Sequence, residues 1–161
     1  MALLLALSAC ASPEPEAPVY RDRSVPIASA ALFDPGRVSG GWYVTERTPG
    51  DGGCAASEVE IRTAASGGLS ILSDCGGAPV TAALAGPGRL ALPEAVGPFA
   101  PGETWVLWVD EGYRSAVLGR PDGTAAFLLD RAPVMPADRA AAARVVLDFN
   151  GYDPDRLETR P

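Results

Sequence analysis

The chain has 161 residues, enough for one domain, and a formal charge of −7 from 20 acidic and 13 basic residues. This acidic balance argues against a nucleic-acid partner, because phosphate binding requires clustered Lys and Arg. The absence of histidine excludes Ser-His-Asp and Cys-His catalysis and imidazole-based zinc or haem sites. The 18 glycines and 16 prolines are too frequent for a helical bundle and indicate short strands joined by turns.

The first ten residues indicate a targeting signal. Residues 1–9 form an uncharged apolar run, shorter than the roughly 18 residues that a membrane span needs. Residues 7–10, Leu-Ser-Ala-Cys, resemble a bacterial lipobox, in which the signal peptide is removed before a cysteine that carries lipid. The resemblance implies a lipid anchor on Cys10 and, because Ala11 rather than Asp follows it, a place in the outer membrane facing the periplasm. The alternative is a buried apolar N terminus with an incidental cysteine.

Residues 10–31 are expected to form a tether, and residues 32–161 the folded domain. In the tether, acidic and small residues alternate with four prolines, Pro13, Pro15, Pro18 and Pro26. Such a composition buries too little apolar surface to fold and favours an extended chain. The tether would hold the domain away from the membrane.

From Gly40 onward, runs of β-prone residues alternate with turn clusters rich in Gly, Pro and Asp. Eight strands are predicted, over residues 41–48, 54–63, 69–74, 80–85, 89–93, 104–110, 114–119 and 124–130. Regular spacing of this kind is typical of an up-and-down barrel or a β-sandwich.

One helix is predicted over Ala137–Phe149, followed by a stop signal at residues 150–151. Four apolar residues spaced i, i+3, i+4 and i+7 predict its buried stripe: Ala142, Val145, Val146 and Phe149. A lone amphipathic helix after eight strands is expected to pack outside the sheet. A short final strand is predicted near residues 156–159.

The cysteine count is consistent with one disulfide. Three cysteines are present, and lipidation of Cys10 would leave Cys54 and Cys75. The periplasm is oxidising, so that this pair is expected to bridge. The midpoint of the pair lies within residues 64–66, where a hairpin loop is also predicted, so an antiparallel ladder would bring the two cysteines opposite one another.

Three blocks stand out along the domain: FDPGRVSGGWY (33–43), WVLWVDEGYR (105–114) and FLLDRAP (127–133). The first contains a Gly-x-Trp motif, formed by Gly40 and Trp42. The second places Asp110 and Tyr113 as in a Thr-Asp-x-x-Tyr turn, although a valine replaces the threonine, and the third includes Arg131. Together the blocks resemble the lipocalin family, and in particular its bacterial lipoprotein branch.

The resemblance implies an all-β fold, an eight-stranded antiparallel up-and-down barrel with one C-terminal α-helix packed outside. Five residues are expected to close one end of this barrel: Gly40, Trp42, Asp110, Tyr113 and Arg131. The guanidinium of Arg131 is expected to stack on the indole of Trp42. Asp110 is expected to cap a tight turn rather than to act as a general acid or base.

Both faces of the predicted strands 104–110 and 124–130 are largely apolar, so one could face the helix and the other an apolar lumen. Trp105 and Trp108 differ by three positions and are expected on opposite faces of one strand. One of them is therefore a candidate ligand contact, together with Phe127 and Leu129. Six alanines favour an open lumen: Ala82, Ala83, Ala85, Ala91, Ala125 and Ala126.

A binding function is favoured. By resemblance to bacterial lipocalins, the barrel would hold an apolar or amphiphilic molecule of the fatty acid or lysophospholipid class at the outer membrane. A ligand-free barrel with a structural or stress-related role in the envelope is the alternative. An enzyme is not expected, because no nucleophile–base pair is recognisable, and neither a cofactor nor a metal is expected.

Lipidation of Cys10 gives a first testable prediction. In a bacterial host, mass spectrometry of the mature protein should find an N terminus at Cys10 with added acyl mass. The Cys10→Ser variant should appear as soluble or unprocessed protein, because the thiol that accepts the lipid is absent. Fractionation of the unaltered protein with soluble periplasmic proteins would contradict the prediction.

Overall fold

A computed structural model describes residues 18–50 and 54–159. Its strands follow one another around a closed barrel: β1 (Gly40–Arg47), β2 (Glu58–Thr63), β3 (Leu69–Ser73), β4 (Val80–Gly86), β5 (Arg89–Leu92), β6 (Gly102–Val109), β7 (Ser115–Gly119) and β8 (Ala126–Asp130). Each strand pairs antiparallel with the next, and β1 also pairs with β8, which closes the barrel. The predicted eight-stranded up-and-down barrel is confirmed.

The connections divide the barrel into two ends. Residues 64–68, 87–88 and 110–114 connect strands at one end, here called the closed end. The connections at the other end, here called the mouth, span residues 48–57, 74–79, 93–101 and 120–125. The mouth loops are longer than the connections at the closed end, so the mouth has more freedom to rearrange.

Helix α1 (Ala137–Phe149) packs outside the barrel as predicted, but with a different face. Ala143 and Leu147 are fully buried, whereas Val145 and Phe149 are 69% and 74% exposed. The predicted stripe is therefore wrong, and only its Val146 packs against the barrel. After α1, a 3₁₀ turn (Pro154–Arg156) leads to β9 (Glu158–Thr159), which pairs with the last residues of β1, at the mouth.

Within the described residues, no helix has the length and apolarity to cross a bilayer.

The rotation of α1 follows from a buried ion pair at its first turn. The Arg139 guanidinium lies 3.1 Å from a carboxylate oxygen of Asp130, which is completely buried at the end of β8. The hydroxyl of Ser115 donates to the same carboxylate and accepts from Nε of Arg139 at 2.6 Å. Because a buried carboxylate requires a charged partner, this contact turns the Arg139 face of the helix towards the wall.

The segment 18–31 packs along the outside of the barrel, so the predicted tether is wrong for these residues. Tyr20 is buried, and its N–H donates to the carbonyl of Gly123 at 2.8 Å, at the mouth. Further along, the N–H of Ala30 donates to the carbonyl of Val106 at 2.8 Å. We call this segment the outer strap. The remaining tether, the signal segment and Cys10 lie outside the described residues.

A second apolar core fills the space between barrel wall, helix and strap. Its buried members, here called the outer core, are Tyr20, Leu107, Val117, Ala126, Leu128, Met135, Ala143, Leu147 and Tyr152. The burial of Tyr20 in this core explains why a proline-rich segment is ordered, because an aromatic side chain buries a large apolar area.

The buried ion pair gives a stability prediction. Arg139→Ala should lower the free energy of unfolding by about 3 kcal/mol, because it leaves the Asp130 charge buried and unpaired. Arg62→Ala is a matched control, since Arg62 is 76% exposed and pairs with Glu60 on the surface, so that its loss should cost below about 1 kcal/mol. Urea unfolding followed by circular dichroism measures both. Equal losses would show that the Asp130 pair does not hold the helix.

Candidate functional site: the barrel interior and its mouth

All eight barrel strands contribute apolar side chains to the interior. Phe127 and Leu129 of β8 are buried there, at 0% and 1% exposure, as are Trp42 and Val44 of β1. Two of the candidate ligand contacts, Phe127 and Leu129, thus line the interior. We call the buried residues of this cluster the interior core: Phe33, Val38, Trp42, Val44, Val59, Ile61, Leu69, Ile71, Val80, Ala82, Leu90, Leu92, Val96, Phe99, Val106, Tyr113, Ala116, Leu118, Ala125, Phe127 and Leu129.

The tryptophans of β6 both lie on the outer face, so the expectation that one of them faces the lumen is wrong. Trp105 and Trp108 pack against the outer core, while Val106 and Val109 belong to the interior. The register of β6 against β7 shifts between Val106 and Trp108, which marks a β-bulge. The extra residue reverses the alternation, and therefore two side chains three positions apart share a face.

The interior is nearly full. A cavity of about 20 Å³ remains towards the closed end, lined only by apolar residues that include Trp42, Leu90 and Val106. This volume is close to that of one water molecule. Of the six alanines, Ala82 and Ala125 face the interior, where the surrounding side chains fill the space beside them. Ala83 and Ala85 are exposed on the outside, and Ala126 packs in the outer core.

A loop at the mouth supplies part of this filling. Residues 93–101 fold inward as a tight turn in which Val96 and Phe99 exchange two backbone hydrogen bonds of 3.0 Å. Both side chains are buried in the interior core, and the Phe99 ring meets the Phe127 ring edge-on with centroids 5.0 Å apart. We call residues 93–101 the plug loop, because its side chains fill the barrel interior at the mouth.

Hydrogen bonds from two neighbouring mouth loops hold the plug loop. The N–H of Cys54 donates to the carbonyl of Gly97 at 3.1 Å. The guanidinium of Arg120 donates to the carbonyls of Ala100 and Pro101 at 3.2 and 3.0 Å. Gly97 is required, because it has φ +55° and a Cβ atom there would lie 2.7 Å from the Cβ atom of Ser73.

Cys54 and Cys75 form the predicted disulfide, with Cα atoms 6.4 Å apart. The bond joins two mouth loops and does not cross a strand ladder, in contrast to the prediction. The ladder between β2 and β3 ends at the pair Val59–Ser73, so both cysteines lie beyond it. The disulfide therefore ties together the loop that bonds to the plug loop and the next mouth loop.

The closed end is sealed by Arg131. Its guanidinium carbon lies 3.8 Å from the centroid of the Trp42 ring. The same group donates to the carbonyls of Gly41, Val38 and Ser39 at 2.8, 3.2 and 2.9 Å. Burial lowers the pKa of Arg131, and the carboxylate of Glu60 partly opposes this shift.

Gly40 and the turn at residues 110–114 complete the closed end. Gly40 has φ +109°, and a Cβ atom there would lie 2.9 Å from a guanidinium nitrogen of Arg131. Burial alone would raise the pKa of Asp110, but hydrogen bonds from the Ser115 and Arg114 backbone and from the Arg114 guanidinium outweigh it and lower the pKa. The Tyr113 hydroxyl accepts from the N–H of Asp34 at 2.7 Å. These contacts are structural, since every group is occupied by the protein itself.

Residues 33–161 match the family described as the lipocalin-like domain. The chain belongs to this family. Among solved structures, this lipocalin is similar to insecticyanin from the tobacco hornworm Manduca sexta, with a TM-score of 0.62 and 16% identity over 84% of each chain. At that identity the likeness concerns the fold alone. A search of curated protein sequences finds no match.

Sequence reasoning missed the plug loop of this lipocalin. The signal was two bulky apolar residues, Val96 and Phe99, within a segment otherwise rich in glycine, proline and alanine. It also missed Thr104, a completely buried threonine near the plug loop. Within residues 18–50 and 54–159, no group of three potential metal-ligating side chains comes together.

The closed end gives a further stability prediction. Arg131→Ala should lower the free energy of unfolding by about 1–3 kcal/mol, because ring stacking and several hydrogen bonds are lost together. Arg37→Ala is the matched control, since Arg37 also covers an aromatic ring, that of Tyr113, but donates to a single carbonyl, that of Glu111, at 2.7 Å. Differential scanning calorimetry should rank Arg131→Ala as the more destabilised protein. The reverse order would contradict the sealing role.

Proposed function

We propose that this lipocalin binds a small apolar or amphiphilic ligand, of the fatty acid or lysophospholipid class, inside its barrel at the outer membrane. Lipocalin-like proteins typically bind small hydrophobic ligands, which supports the general class of function. The proposal depends on one observation: the side chains that fill the mouth belong to the plug loop and not to a strand. Val96 and Phe99 come from a loop, so they can leave the interior without breaking a strand of the wall.

The chemistry of the interior favours a hydrocarbon chain. Side chains from all eight strands form an apolar lining, and each methylene buried in such a lining contributes about 0.8 kcal/mol. A ligand chain that replaces Phe99 would keep the apolar contact with Phe127. One or two polar contacts at the mouth would then suffice for micromolar binding.

The path of the outer strap supports a position of the mouth near the membrane. Tyr20 bonds to Gly123, and its hydroxyl donates to the carbonyl of Pro49 at 2.6 Å, and both partners lie in mouth loops. Residue 18 is therefore at the mouth, and the eight steps back to Cys10 reach at most about 30 Å. A lipid on Cys10 would hold the mouth close to the bilayer from which an acyl ligand comes.

A second candidate is a ligand-free structural protein of the envelope. The cavity of about 20 Å³ favours it, because the barrel as it stands has no room for a ligand. The two candidates differ in whether the plug loop leaves the interior, and this difference can be measured.

Removal of the plug side chain should increase ligand binding. Phe99→Ala is expected to lower the Kd for palmitate at least fivefold, because no free energy is then required to expel the aromatic ring. The same change should cost about 3–5 kcal/mol of stability, since it empties a buried site. Isothermal titration of the delipidated protein measures the Kd, and urea unfolding measures the stability.

Phe149→Ala is the matched control. It removes the same side chain from the exposed face of α1, where Phe149 is 74% exposed, and should leave both the Kd and the stability nearly unchanged. If neither the unaltered protein nor Phe99→Ala binds palmitate or lysophosphatidylcholine, the lipid-binding proposal is wrong and the structural candidate remains.

A further inference from the structure

Thr104 carries a hydroxyl group that has no partner in the protein. The residue is 0% exposed, and Oγ1 is the one buried side-chain polar atom without a hydrogen bond in the described part of the chain. Other buried threonines are bonded: Thr45 donates to the carbonyl of Leu128 at 3.1 Å, and Thr48 accepts from the N–H of Ala126. An isolated buried hydroxyl is unfavourable, because it has lost its hydrogen bonds to water.

The hydroxyl faces the barrel interior. Thr104 pairs with Leu90, a residue of the interior core, and lies two positions before Val106, which also belongs to that core. The register of β6 is regular between these residues, so Thr104 and Val106 share a face. Thr104 lies close to the mouth, because β6 begins at Gly102 directly after the plug loop.

The surroundings of Thr104 restrict which polar group could bind there. The buried charged residues of the described chain, Arg21, Asp110 and Asp130, make their hydrogen bonds outside the barrel interior. Arg120 lies at the same level, beside Gly102, but its guanidinium is already paired with Asp122 at 3.1 Å and donates to the carbonyls of Ala100 and Pro101. A carboxylate beside Thr104 would therefore have one hydroxyl donor and no unpaired cation, which is unfavourable for a charge in an apolar interior. A neutral oxygen requires only one hydrogen bond.

We propose that Thr104 is a specificity-determining residue that binds one neutral oxygen of the ligand, a hydroxyl or an ester carbonyl, at the level of the plug loop. The proposal rests on the binding function above and selects within it. The ligand would be an ester or alcohol with its hydrocarbon chain directed towards the closed end, where the remaining cavity is entirely apolar. An acyl chain in ester linkage, as in a lysophospholipid, fits this description better than a free carboxylate does.

The test compares three probes with the same chain length, dodecanol, dodecanoate and dodecane, on the delipidated protein at pH 8. Competition with a fluorescent apolar probe gives each Kd. We expect the unaltered protein to bind dodecanol more tightly than either of the others. Thr104→Val, which keeps the shape of the side chain, should weaken dodecanol binding about five- to tenfold, as expected for one hydrogen bond, and leave dodecane within twofold.

Thr81→Val is the matched control, because Thr81 is exposed on the outside of β4, and it should change no Kd. A second measurement needs no ligand: Thr104→Val should raise the melting temperature, since it removes an unbonded hydroxyl from an apolar site. A fall in the melting temperature would show that the hydroxyl is bonded within the protein and would overturn the proposal.

The outcomes also separate this proposal from the binding function. If all three probes bind but Thr104→Val leaves every Kd unchanged, the role of Thr104 is wrong and the binding function stands. If no probe displaces the fluorescent ligand from the unaltered protein or from Phe99→Ala, both are wrong. Tighter binding of dodecanoate than of dodecanol would overturn the preference for a neutral oxygen.

Discussion

Strands β7 and β8 have no solvent-exposed residue, since all five positions of each are buried, and this constraint shapes the rest of the molecule. A sheet segment with two dry faces needs cover on both sides. Closure of the barrel covers one face with the interior core. Helix α1 and the outer strap cover the other, and the buried contact between Asp130 and Arg139 fixes the helix to the end of β8.

The two ends of the barrel are closed by different kinds of contact. At the closed end, the guanidinium of Arg131 stacks on Trp42 and donates to several carbonyls. Opening this end would therefore break many interactions at once. At the mouth, Val96 and Phe99 contribute apolar contact, and the hydrogen bonds to the plug loop come from neighbouring loops. From this difference we expect the interior to open first at the mouth, because loops rearrange at lower cost than strands.

Two β-bulges, one in β1 and one in β6, decide which side chains of those strands reach the interior. In β6 the shift between Val106 and Trp108 turns both tryptophans outward. In β1 the shift between Val44 and Glu46 turns Glu46 outward, where its carboxylate accepts a hydrogen bond from Arg144 of α1. Counting alternate residues is reliable only between bulges, and nothing local in the sequence marks where these two occur.

The sequence by itself determined the order and approximate bounds of the strands, because turn residues and strand propensity act over a few positions. It also identified Gly40, Trp42 and Arg131, since the family motifs carry them, and the Cys54–Cys75 pair, since only two cysteines remained for a bridge. These features depend on residue types and spacings that can be read directly from the chain.

Tertiary structure alone decided how full the interior is, which face of α1 is buried and where residues 18–31 lie. The volume of the lumen depends on the position of Phe99, which meets Phe127 nearly thirty positions later in the chain. The orientation of the helix depends on the charge of Asp130, and the strap is held by partners such as Gly123, about a hundred residues from Tyr20. Such contacts join residues that are distant in sequence. Their free energies exceed the differences in helix and strand propensity on which the sequence predictions depend.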